Sequence, residues 1–146
     1  MVYVQYERIK IKYLIAQNNY EELIKEKEDL FAQTQPSSQA LDKERVSGGK
    51  SENAFDTYLV RKEQTRIEER LVEARTIVTD RKILLDLKRT ELEDSNDIYD
   101  KVYYFKFIRR NKVKDISAKI GYSPAQTNRI LKQIRGSMSR IYFQEI

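Results

Sequence analysis

Neither cysteine nor histidine occurs in this chain. Their absence removes disulfides, thiolate nucleophiles, the usual zinc ligands and the commonest general base together. The acidic residues that remain are interleaved with Lys and Arg along helical patterns, as solvated faces are. The expectation is therefore a protein that is not an enzyme and holds no metal or cofactor. Glycine, at four residues, and proline, at two, are too scarce for a turn-rich sheet protein. No apolar run approaches the roughly 18 residues a membrane span requires. Met1-Val2-Tyr3-Val4-Gln5 lacks the basic-then-apolar order of a signal peptide. These absences predict a cytoplasmic protein with no membrane partner.

What the chain does contain is charge, at 35% of its 146 residues, beside 40% hydrophobic residues. That balance favours long solvated helices, and the expected fold class is all-α. The formal charge of +5 is unevenly placed. Residues 96–146 carry eleven Lys and Arg against Asp97, Asp100, Asp115 and Glu145, a local +7, which leaves −2 for the first 95. A compact basic end on a near-neutral stem is the electrostatic pattern of a nucleic-acid binder.

Apolar periodicity divides the stem. Tyr6, Ile9, Tyr13, Ala16, Tyr20, Leu23 and Leu30 recur in steps of three and four, with Lys27 interrupting, and predict a helix from about residue 3 to about Gln33. Gln35-Pro36-Ser37-Ser38 stops it. A second seam at Ile67, Leu71, Ala74, Val78, Leu85 and Leu92, with Arg81 and Lys88 between, predicts a helix over about 54–94. Each apolar stripe needs a cover, and the simplest is the other helix. Residues 1–95 are thus expected to form an antiparallel coiled-coil hairpin, with Tyr6 near Leu92, Tyr20 near Val78 and Leu30 near Ile67. The heptad spacing of Tyr6, Tyr13 and Tyr20 favours core packing over a base-stacking platform. The connector at about 35–53 is too polar for a core and is expected to be a mobile loop, with Ser51 or Asn53 capping the next helix. Its Gly48-Gly49-Lys50-Ser51 string lacks the spacing and the preceding strand of a phosphate loop.

Residues 96–146 predict a helix-turn-helix domain. Ile116 and Ile120 lie on one face of a first helix, and small Ser117 allows a close crossing. Gly121 can adopt the left-handed conformation that ends a helix. Tyr122 is expected to pack inward. Ser123 is a strong N-cap, and Pro124 suits the first helical position. In the second helix Ile130, Leu131 and Ile134 form the inner face, which leaves Gln126, Asn128, Arg129 and Lys132 outward. Amide and guanidinium groups can bond adenine and guanine edges in the major groove, so these four are the expected base readers. Arg109, Arg110, Lys112, Lys114 and Lys119 are placed for phosphates, and Ser123 can offer its hydroxyl or the helix N-terminus to one, although capping explains it fully. Another helix is expected ahead of the motif, on Asp97, Ile98, Val102, Phe105 and Ile108. Tyr103, Tyr104 and Phe107 would join the small core or touch the hairpin.

The stretch Ile116-Ser117-Ala118-Lys119-Ile120-Gly121-Tyr122-Ser123, followed by Arg129-Ile130, resembles region 4 of sigma factors over about a third of the chain. With the Ser/Gly connector and long helices ahead of it, the whole chain resembles the small regulators of phages of Gram-positive bacteria, the RinA, ArpU and LtrC-like late-gene activators. The resemblance implies double-stranded DNA as partner and a promoter read together with host RNA polymerase; whether the sigma-like face meets promoter or polymerase stays open. Thr127 departs from the pattern, which places a branched apolar residue there, and predicts a looser seat for the second helix. A homodimer is compatible with this reading. Two other classes remain: a phage DNA-packaging component resembling small terminase subunits, and a coiled-coil adaptor that binds only protein.

Overall fold

A computed structural model of the chain describes residues 1–34 and 50–145. Among these every regular element is helical, as composition predicts. The elements are α1 (Val2–Thr34), α2 (Lys50–Asp94), α3 (Ile98–Tyr103) with a π-helical continuation over Tyr104–Ile108, α4 (Val113–Ile120) and α5 (Pro124–Glu145). α2 starts at Lys50, so Ser51 and Asn53 fall inside the helix rather than ahead of it as caps. Most of the expected mobile loop, residues 35–49 with the Pro36 exit, lies outside the described residues.

The described residues divide into two compact units, one formed by residues 16–34 with 50–78 and the other by residues 1–15 with 79–145. In the first, α1 and α2 run antiparallel. Ala16 and Ile67 are buried, and Leu23, Leu30, Leu71, Ala74 and Val78 are half-buried, as the heptads predict. Lys27 and Gln64 take seam positions too, where a long stem can lie across apolar surface while its polar end reaches outward. Lys27 Nζ meets Glu68 at 4.0 Å, and Arg70 meets Glu26 at 3.9 Å. The expected alignment sets Lys27 opposite Arg70 or Leu71, and long side chains such as these reach residues a few positions along the facing helix. Periodicity defines which face turns inward; axial alignment depends on how individual side chains fit.

The other unit holds the main core, made of Tyr3, Tyr6, Leu85, Leu92, Val102, Tyr103, Tyr104, Ile116, Ile130, Leu131 and Ile134. Tyr6 and Leu92 are buried in it together, and Lys82 Nζ lies 5.7 Å from the Tyr13 ring. Arg81 and Lys88 occupy half-buried seam positions, as the spacing predicts. Tyr103 stacks on Tyr3 (centroids 5.3 Å apart), meets Tyr6 edge-on at 6.1 Å and tilts against Phe107 at 5.1 Å. Buried ring pairs of this kind contribute about 0.5–1.5 kcal/mol each beyond area burial. Tyr6 is thus part of an aromatic core and has no free face for a base.

Two buried carboxylates join α1 to α3. Asp100, 1% exposed, accepts from Tyr3 N at 2.9 Å, Val2 N at 3.2 Å and Ser95 Oγ at 2.7 Å. It caps α1 from across the core, where the unpaired N–H groups and positive end of the helix favour a negative charge. Glu7, equally buried, accepts a hydrogen bond from the Tyr103 hydroxyl through Oε1. α3 has its own cap, with Asp97 Oδ1 accepting from Tyr99 N and Asp100 N.

Candidate nucleic-acid interface

α4 and α5 build the helix-turn-helix from a few local decisions. α4 ends at Gly121, which takes φ +75°, a left-handed conformation that glycine enters without the clash a Cβ brings. The Gly121 and Tyr122 N–H groups both donate to the Ser117 carbonyl, at 2.9 and 3.2 Å, and so close the helix end. Ser123 then caps α5, its Oγ accepting from Gln126 N at 3.2 Å, and Pro124 takes the first helical position. Tyr122 is not turned inward as expected but is 40% exposed. The left-handed step at Gly121 directs the next residue away from the crossing, which Ser117 and Thr127 fill instead.

That crossing is polar. Thr127 is fully buried and Ser117 nearly so, and their hydroxyls lie 2.8 Å apart. Thr127 Oγ1 also lies 3.0 Å from the Ser123 carbonyl, to which it can donate. The expected looser seat for α5 is therefore corrected: Thr127 packs its methyl and satisfies its hydroxyl at the point of closest approach. Ile116, Leu131 and Ile134 are fully buried around it, with Ile130 at 9% exposure. Leu and Ile side chains at this burial contribute about 1.5–3 kcal/mol each.

With that face inward, Asn128, Arg129 and Lys132 stand exposed on α5, among the described residues without ion pairs. Gln126 is exposed too, but its Oε1 accepts from Ser123 N at 3.1 Å and Ser123 Oγ at 3.2 Å, which completes a capping box. A two-point bond to adenine needs both ends of that amide, so Gln126 would have to leave the cap to read a base. Ser123, expected at a phosphate, has its hydroxyl engaged in the same box.

The expected phosphate residues fall into two groups. Lys112 and Lys114, at the start of α4, are exposed, and neither side chain has an ion pair among the described residues. Arg109 and Lys119 instead border one cavity, together with Lys101, which sequence reasoning passed over as one cation among eleven. Arg110, exposed between the groups, holds φ +57°, a left-handed conformation that costs a non-glycine residue about 1–2 kcal/mol. α3 is also tied to α5: the Tyr99 hydroxyl donates to Gln133 Oε1 at 2.6 Å. Among the described residues no cluster of acidic side chains could hold a metal ion. None of the described helices is long and apolar enough to cross a membrane. Comparison with known proteins finds no family model, no curated protein and no solved structure that matches this chain.

Proposed function

We propose that the chain is a transcriptional regulator that binds double-stranded DNA by placing α5 in the major groove. The observation carrying this reading is the division of α5 into a buried face (Thr127, Ile130, Leu131, Ile134) and an exposed face (Asn128, Arg129, Lys132), behind a glycine turn that holds it across α4. In this reading Arg129 and Asn128 read base edges, and Lys112, Lys114 and the α5 N-terminus hold phosphates. The resemblance to the small phage regulators adds a biological setting: activation of phage late genes at a promoter with host RNA polymerase, in the cytoplasm of a bacterial cell.

The test is duplex binding across a salt series, with a selected and a random sequence. Arg129→Ala is expected to lower discrimination by about 1–3 kcal/mol, and Lys114→Ala to weaken both duplexes alike and reduce the salt slope by about one. Parental behaviour from both variants overturns the assignment. A second reading, assembly through helices in DNA packaging, is favoured by Ile83, Leu84 and Leu87, which are 53, 52 and 63% exposed on α2. Mass in solution separates the two, since a monomer or homodimer suits the regulator and a ring of many subunits suits packaging.

A further inference from the structure

A cavity of about 750 Å3 lies between the end of α2, α3 with its π turn, and α4. Three cations border it, Lys101, Arg109 and Lys119, and Tyr104, Phe105 and Glu93 are also in its lining. No residue of α5 borders it, so it is separate from the face proposed to read bases. None of the three cations has an ion pair among the described residues.

Two of them are nevertheless held. Arg109 Nε donates to the Tyr104 hydroxyl at 3.0 Å, and its Cζ lies 5.6 Å from that ring. Lys119 Nζ lies 4.9 Å from the Phe105 ring. The π turn explains the first contact. In an α-helix, residues five apart diverge by about 140° around the axis; the wider turn, closed by Arg109 N to Tyr104 O at 3.0 Å, brings Arg109 back over Tyr104. The chain accepts an irregular turn here and a left-handed Arg110 directly after it. Such turns occur frequently at functional sites. With Nε occupied, the terminal guanidinium nitrogens keep donors for a ligand.

We propose that this cavity binds a phosphate group, with Lys101, Arg109 and Lys119 as its ligands. Three cations against one carboxylate in the lining suit a group with several charged oxygens, and a guanidinium fixed by its Nε is already oriented for a two-point contact. The phosphate has two sources, a free phosphate compound or the backbone of bound duplex. Only the second rests on the DNA-binding reading.

The experiment uses the full chain at low salt. Pyrophosphate and ATP are titrated while resonances of Lys101, Arg109 and Lys119 are followed by NMR, and duplex binding is measured across a salt series. For a free compound, shifts are expected at these three residues, Lys101→Ala is expected to weaken binding about fivefold and Glu93→Gln to strengthen it about twofold. For a backbone phosphate, Lys101→Ala is expected to lower the salt slope for duplex by about one while discrimination between sequences stays parental. The proposal is overturned if neither compound shifts these residues and the Lys101→Ala salt slope is parental. Pyrophosphate binding without duplex binding sinks the DNA reading alone. A base-preference effect of Arg129→Ala with an inert cavity sinks the cavity proposal alone.

Discussion

At Tyr103 a phenol hydroxyl and a carboxylate share the interior, and removing either leaves the other without its partner. Burial is the main cause that raises the Tyr103 pKa above its ordinary value, and the hydrogen bond to Glu7 adds to it. Burial likewise raises Tyr6, against partial relief from Arg89. The sign of the pH dependence follows. Unfolded tyrosines lose their protons near pH 10 while the folded pair keeps theirs, so the native state holds more protons and stability falls as pH rises beyond that point. Below it the contribution is complete, and the chain has no histidine to add a change near neutrality. Urea midpoints are expected to stay nearly level from about pH 7 to 9 and to decline above about pH 10. Tyr103→Phe is expected to cost about 1–3 kcal/mol at neutral pH, since Glu7 Oε1 loses its donor, and to soften the alkaline decline. An unchanged decline in that variant would place its source elsewhere.

The helix crossing shows what a residue type means once its neighbour is known. Thr127 departs from the apolar residue expected at its position, yet it meets Ser117 at 2.8 Å in a site closed to solvent. Thr127 is not interpretable alone; with Ser117 it forms a satisfied pair. Thr127→Val keeps shape but removes a buried partner from Ser117, and is expected to cost about 1–2 kcal/mol. Adding Ser117→Ala removes the orphaned hydroxyl, so the double variant is expected to lose less stability than the two single losses added together. Chemical denaturation of the four proteins in that cycle measures the coupling, and strict additivity would show that the hydroxyls do not interact. The glycine turn was legible beforehand because a left-handed helix end followed by Ser-Pro has few alternatives. Tyr122 was misplaced because an aromatic residue beside a core is ordinarily drawn into it, and the chain direction after Gly121 is not written in residue type.

Across the molecule, the N-terminal residues depend on the C-terminal ones through Asp100. A side chain 98 positions from Val2 and 97 from Tyr3 supplies the hydrogen bonds that the first N–H groups of α1 lack within the helix. Asp100→Asn retains the volume but loses the charge, and is expected to lower stability by about 1.5–3 kcal/mol. It is also expected to raise amide exchange at Val2 and Tyr3 before the rest of α1. If exchange there stays parental, the cap is not what holds that end. The variant leaves α5 unchanged, so duplex binding at a temperature well below the transition should match the parent.

Both heptad seams, the helix boundaries to within a few residues, the turn at Gly121 and the outward positions of Asn128, Arg129 and Lys132 followed from the sequence by itself, because periodicity, capping and backbone restriction act over a handful of neighbouring residues. Only the tertiary structure decided the burial of Asp100 and Glu7 and the joining of Lys101 to Arg109 and Lys119 around one cavity. These depend on side chains brought together from distant positions and, at Arg109, on a π turn that no local preference announces. A charged residue looks the same in a sequence whether it ends in water, in a core or over an aromatic ring.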